Sequence, residues 1–280
     1  MTRLADLHIH TFYSDGTSSP EEVVKDAVSH GLSCIAITDH DTLDGIKPTR
    51  TIAAQFNIEV IAGVELSTEW NRKDIHVLGY FFDEADQEFR GLLKLAQHGR
   101  VDRMVQMLEK LHNLGIKNIS LEEVCALAKS KSVGRPHLAS LLVEKGWVMD
   151  MKTAFDKYLE EGGPAYVPKF KITPFEAISL LNKIGGVAVL AHPMLTQIDE
   201  IIPQLVKQGL GGLEVYYPNC SEASIRFYEG LAKKHNLVMT GGSDAHGKAK
   251  QHTFIGKKSI PYELVEKLKA MGKKKRILDN

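Results

Sequence analysis

Thiols are scarce in this chain: three cysteines in 280 residues, Cys34, Cys125 and Cys220, with no C-x-x-C spacing. An odd, scattered set argues against a disulfide framework and against a thiolate zinc site, and it fits a reducing cytoplasm. Long hydrophobic runs are missing too. None approaches the roughly eighteen residues that a membrane helix needs, and a strand pattern begins within about four residues of the start, so neither membrane insertion nor secretion is expected. Net charge is absent, since 35 basic residues balance 35 acidic ones. Bulk electrostatics therefore gives no reason to expect attraction to nucleic acid or membrane. No internal repeat or low-complexity tract is evident, and the basic run at 273–276 reads as a solvated tail.

What is present is the composition of a soluble globular protein, 43% apolar and 25% charged, long enough for one barrel or two ordinary domains. Short apolar runs at 4–8, 34–38, 59–65, 74–80, 187–192, 212–215 and 238–243 read as seven strands. Most are separated by helix-like stretches, which argues for parallel βα units closing into a barrel whose working residues sit at the C-terminal strand ends. Side chains that bind metals fall at those places: His8 and His10 after the first strand, His40 after the second, Glu65 after the third, His76 within the fourth. His192 follows the fifth, Asp244 and His246 follow the last, and Asp15 lies on a loop closing on Gly16. The set holds six imidazoles and three carboxylates.

Helix starts are marked at Ser19-Pro20-Glu21-Glu22 and Thr173-Pro174-Phe175-Glu176, where a capping hydroxyl, a first-turn proline and a reciprocal Glu coincide. From about 89 to 163 the pattern is helical only, with apolar spacing from Leu92 to Leu111, a capping box at Ser120 and Glu123, and further helices after Pro136 and Asp150. We expect a barrel domain of residues 1–88 and 164–280 and an all-helical insertion at 89–163. The insertion leaves after His76 and returns near Lys169, so it should emerge on the ligand face and cover it as a lid.

Imidazoles and carboxylates without thiolates suit Mn, Fe or Zn and leave coordination positions open for catalysis. Nine ligands suit three divalent ions, with Glu65 as a candidate bridge. Three such ions bring about six positive charges against roughly three negative ones, and the surplus calls for an anion. Ions about 3.5 to 4 Å apart activate a bridging water and clamp both oxygens of an in-line displacement, which suits phosphate-ester hydrolysis. In the insertion, "SVGRPHLAS" puts Arg135 and His137 at a helix start, where free N–H groups favour anions, and Lys169 in "AYVPKFK" adds a point charge. Arg135, His137 and Lys169 are the substrate-binding candidates. Asp39 and Asp41, flanking His40, are placed to orient ligand imidazoles, or, for Asp41, equally to cap a turn.

The order H-x-H, Asp15, T-D-H-D with His40, G-V-E-L with Glu65, His76, A-H-P with His192 and G-S-D-A-H resembles the polymerase and histidinol phosphatase (PHP) family over nearly the whole chain. "GRPHLA", "AYVPK" and "GGVAVLAHP" resemble the branch of nucleoside 3′,5′-bisphosphate phosphatases and 5′-to-3′ exoribonucleases. The resemblance implies an α/β fold, a distorted seven-stranded (β/α) barrel with a helical insertion, and three metal ions, most often manganese. It implies His8, His10, Glu65 and Asp244 around the first ion, Glu65, His76 and His192 around the second, and Asp15, His40 and His246 around the third. Glu65, His192 and Asp15 form the catalytic set it implies. Asp244-Ala245-His246 replaces the Asp-Phe-His of many branch members, which removes an aromatic but no ligand.

The expected activity is hydrolysis of the 3′-phosphate of nucleoside 3′,5′-bisphosphates, or of short single-stranded RNA from its 5′ end, by a metal-bridging hydroxide. Two rival enzymes are a histidinol-phosphate phosphatase, against which the long insertion weighs, and an amidohydrolase or deaminase, which typically needs a carboxylated Lys where His76 stands. A noncatalytic nucleotide or nucleic-acid binding module is the alternative of another class, and degenerate modules should have lost ligands. None of the nine is lost here.

Overall fold

The computed structural model describes residues 3–128, 133–168, 172–250 and 252–278, with side chains up to residue 272 of the last helix. All seven expected strands form: β1 (Leu4–Ile9), β2 (Leu32–Ile37), β3 (Glu59–Trp70), β4 (Lys73–Tyr80), β5 (Val187–Leu190), β6 (Gly212–Tyr216) and β7 (Val238–Gly241). A two-residue β8 (Ile260–Pro261) is added, giving one eight-stranded sheet ordered β7-β6-β5-β4-β3-β2-β1-β8. The expectation of seven strands needs that correction; the α/β barrel class stands. At the rim the two ends of the sheet meet, because Ile9 bridges Ala245 in parallel and the His10 amide donates to the Ala245 carbonyl (3.0 Å). Lower down, β8 occupies the same edge of β1. Closure needs a glycine: a Cβ on Gly242 would lie 2.4 Å from the His8 nitrogen.

Two departures from parallel βα units shape the site. First, β4 is antiparallel to both β3 and β5. Its hairpin turns on Asn71 and Arg72, both at positive φ (49° and 64°), the left-handed pair that a two-residue loop requires. Running backwards, β4 brings the early residue His76 to the rim instead of its C-terminal end. Second, β1 carries a bulge between Asp6 and Ile9, where its register against β2 slips. Leu7 fills the barrel interior, and His8 beside it also turns inward, which a regular strand forbids.

Inside the barrel, Ala5, Leu7, Ala36, Ile61, Leu78, Val187 and Val189 pack with Val265 and Leu268 of the C-terminal helix, and the Tyr80 hydroxyl crosses to the Leu7 carbonyl (2.7 Å). Outside it, the helices Pro20–Ser29 and Pro174–Lys183 begin at the two expected capping boxes. The 27-residue helix Gln87–Asn113 packs Phe89 and Leu93 against the barrel's outer cluster and Met104 to Leu111 into a second, separate cluster that runs to Val167. That second cluster is built with helices at Leu121–Ala128 and Arg135–Glu144 and a π-helical turn at Phe155–Leu159. The returning chain bridges Thr68 at Ile172, on the part of β3 that projects beyond Glu65, so the helical segment stands at the ligand end. Among the described residues, no helix is long and apolar enough to cross a membrane.

Candidate metal centre

Nine side chains from seven places in the sequence converge, eight of them gathered about Glu65. One of its oxygens, Oε2, faces His10 Nε2 (3.0 Å), His8 Nε2 (3.2 Å) and His40 Nε2 (3.4 Å). The other, Oε1, faces His76 Nδ1 (2.8 Å) and His192 Nε2 (3.2 Å). Glu65 therefore looks both ways across the rim. Asp244 Oδ1 lies near His10 Nε2 (3.4 Å) and His8 Nε2 (3.5 Å), and Asp15 Oδ1 near His246 Nε2 (3.3 Å). Three groups of these atoms are tight enough to surround a cation: His8, His10, Glu65 and Asp244; His10, Asp15, His40 and His246; and His40, Glu65 and His76. His192 belongs to none of the three groups, but its Nε2 reaches the same Glu65 oxygen as His76, with the two rings 5.3 Å apart.

Local backbone serves this convergence. Beyond the end of β2, His40 bridges Glu65, and the Asp41 amide donates to the Glu65 carbonyl (3.1 Å), which fixes the two ligands side by side. Gly16 lets the Asp15 loop fold against His10, whose carbonyl would stand 2.7 Å from a Cβ there. His192 (φ 26°) and Asp244 (φ 49°) hold conformations that non-glycine residues avoid, a strain of roughly 1–3 kcal/mol each that clusters at functional sites.

Electrostatically the cluster is a set of buried charges satisfied mainly by one another, with Glu214 on His8 and Lys250 on Asp244 added at its edge. Burial alone would raise the three carboxylates, but neighbouring imidazoles hold Asp15, Glu65 and Asp244 well below the usual range. Burial would lower His10, yet its hydrogen bonds to Asp244 and Glu65 take it up to about 10. Burial wins at His40 and drives it down to about 3. His76 Nδ1, 2.8 Å from Glu65 Oε1, makes no hydrogen bond there, the state expected of a donor whose lone pair awaits a metal, whereas His40 and His192 face Glu65 with Nε2 and leave Nδ1 unpaired on the other side of the ring. Donor type, burial and the His76 nitrogen fit divalent cations.

The supporting groups differ from the sequence expectation. Asp39 accepts Thr11 N (2.7 Å), Thr11 Oγ1 (2.7 Å) and Ser14 Oγ (2.6 Å), so it secures the His10–Asp15 loop rather than an imidazole. Asp41 accepts Ser67 N (2.9 Å) and pairs with Arg100 of the helix Gln87–Asn113. Glu214, Tyr217 and Arg100 were not anticipated. A lone carboxylate inside the apolar run 212–215 was the one available signal for Glu214. The substrate candidates separate: Arg135 lines a cleft of about 250 Å³ with Asp15, His40, His76, Arg100 and Arg103. His137 is not part of that lining and accepts the Gly134 amide at Nδ1 (3.0 Å), capping its own helix. Lys169 lies outside the described residues.

A barrel rim crowded with imidazoles around one two-sided carboxylate defines a metal-dependent hydrolase. The PHP domain family model matches residues 6–167, so the chain belongs to the PHP family. Its reaction class is phosphoric ester hydrolysis. It is 32% identical over 256 residues to a 3′,5′-nucleoside bisphosphate phosphatase of Chromobacterium violaceum, with 90% of each chain covered. It is 34% identical over 251 residues to a 5′-3′ exoribonuclease of Haemophilus influenzae, covering 88% of this chain and 91% of that one. A solved structure of a candidate metal-dependent phosphoesterase from Bifidobacterium adolescentis superposes with a TM-score of 0.87 at 28% identity, covering 96% of each chain.

Proposed function

We propose that the protein removes the 3′-phosphate of nucleoside 3′,5′-bisphosphates, or shortens RNA from a 5′-phosphorylated end, using three divalent ions, Mn²⁺ before Fe or Zn. The observation that carries this reading is the cleft, whose two walls have opposite chemistry. One wall is the ligand set through Asp15, His40 and His76; the other is Arg100, Arg103 and Arg135. A substrate with two phosphates, one to be cleaved and one to be held, matches that division.

Bound at the rim, divalent ions supply Lewis-acid activation of water and neutralise phosphoryl charge. The residues do the positioning. Glu65, 1% exposed, keeps its oxygens between two groups of imidazoles, with His192 fixed on the Oε1 side. Asp15 is the most accessible of the three carboxylates, 23% exposed at its side chain, and ionised it can accept a hydrogen bond from the attacking water. Opposite, Arg103 donates Nε to the Val167 carbonyl (2.5 Å) and has a buried terminal nitrogen without a partner, while Arg135 donates to the Leu159 carbonyl (3.1 Å). Arg135 also lies 3.9 Å from Asp74 Oδ2, so Arg103 is the half-satisfied guanidinium, and Arg135 would exchange that long ion pair for a substrate anion. In this reading residues 89–163 form the lid, the barrel being residues 1–88 and 164–280, and the enzyme is cytoplasmic.

The test is Mn²⁺-dependent release of phosphate from 3′-phospho-AMP beside release of mononucleotides from 5′-phosphorylated RNA. Activity on at least one is expected. Inactivity on both, with metal bound, would remove the nucleotide reading.

A further inference from the structure

Strand β6 stands alone among β1 to β7 in giving no side chain to the ligand set, and yet Glu214 on it and Tyr217 just after it reach ligands on or after three other strands. Glu214 is 1% exposed and lies on β6 between the strands that precede His192 and Asp244. Its Oε1 meets His8 Nδ1 (2.9 Å), and its Oε2 accepts the backbone N–H of His192 (2.8 Å). Directly after β6, the Tyr217 hydroxyl donates to Asp244 Oδ2 (2.7 Å), and its ring stands edge-on to His192 at 5.5 Å. Lys250 Nζ shares the same Asp244 oxygen (2.5 Å).

We infer that Glu214 and Tyr217 are positioning residues that set the metal-binding geometry of His8, His192 and Asp244, an inference that rests on the metal-dependent reading above. Each contact removes a freedom that would spoil coordination. With Nδ1–H donated to Glu214, His8 is oriented with Nε2 toward Glu65 and Asp244. His192 sits at φ 26° and ψ 57°, a conformation that the Glu214 carboxylate stabilises through the His192 amide. Tyr217 and Lys250 occupy Asp244 Oδ2, which leaves Oδ1 to face His8 and His10. Glu214 is not itself a ligand in this arrangement, because both of its oxygens already face N–H donors.

Glutamine is the informative substitution at 214. It keeps shape and volume but offers one acceptor, so an amide NH₂ must oppose either His8 Nδ1–H or the His192 N–H. The experiment measures Mn²⁺ bound per chain against free Mn²⁺ for wild type, Glu214→Gln and Tyr217→Phe, with the melting temperature of each metal-free protein. The proton NMR signal of His8 Nδ1–H is recorded in metal-free wild type. We expect the Mn²⁺ concentration at half-saturation to rise roughly 10- to 100-fold in Glu214→Gln and less in Tyr217→Phe, with kcat largely recovered at saturating Mn²⁺. A far-downfield Nδ1–H should be present in the wild type and lost in Glu214→Gln. Unchanged half-saturation in a folded Glu214→Gln would overturn the inference. So would a wild-type His8 Nδ1–H that exchanges freely, whether or not the variant folds. Wild type that binds no Mn²⁺ sinks the metal reading instead, and the NMR signal still judges the Glu214 contact separately.

Discussion

The barrel rim and the helical segment above it are built from opposite chemistry. At the rim, imidazoles and carboxylates crowd around a buried Glu65. In the helical segment, Arg100, Arg103 and Arg135 emerge beside an apolar cluster of their own and carry the positive wall of the cleft. Under the proposed function, the contrast means that reaction and selection are assigned to different parts of the chain. Arg100 is the link between them, since it pairs with Asp41 next to His40.

If that division is real, single substitutions should separate it. Glu65→Ala removes the one group that touches both sides of the rim, and phosphate release should fall roughly a thousandfold, about 4 kcal/mol, on every ester tested. A loss confined to bisphosphate substrates would break the comparison. Leu142→Ala empties a fully buried site in the helical cluster and should cost about 2–5 kcal/mol in denaturant unfolding. Mn²⁺ affinity should be unchanged by it, because no ligand belongs to that cluster. Arg135→Ala should lower kcat/KM for 3′-phospho-AMP roughly 10- to 100-fold, the worth of a charge-assisted hydrogen bond. The same variant should change hydrolysis of a simple aryl phosphate less than about threefold; equal losses on both would mean that Arg135 shapes the centre rather than selecting the substrate.

The smallest effect is expected at the opposite end of the barrel. Partial burial of Glu59 would raise it, but Lys269 and Tyr262 hold it below its ordinary value of 4.5. Its stabilisation is therefore full above pH 4.5 and is lost as pH falls through the lower folded value. Since Glu59 is one-third exposed, Glu59→Gln should cost about 1 kcal/mol or less at pH 7. The difference from wild type should shrink below pH 4.5 in thermal melts, and activity should not change.

Much of this was legible in the order of residues. Seven strands followed from apolar runs, two outer helices from Ser19-Glu22 and Thr173-Glu176, and the nine rim residues from their recurrence after strands. Tertiary constraints hid the rest. A hairpin at Asn71-Arg72 lacks the glycine that usually announces a two-residue turn, so the reversal of β4 was not read. The bulge in β1 exists because β1 must meet both β2 and Ala245, a condition no local pattern encodes. Arg103 looks like any polar position on a long helix and is in fact 6% exposed, since the Val167 carbonyl folds over it. Glu214 differs from the rim residues only in which atoms it meets.

Anomalous diffraction from crystals grown with Mn²⁺ tests the central claim most directly. The account predicts three peaks: one among His8, His10, Glu65 and Asp244, one shared by Glu65, His76 and His192, and one held by Asp15, His40 and His246. A rim without anomalous signal, its imidazoles and carboxylates hydrogen-bonded only to one another at saturating Mn²⁺, would contradict it.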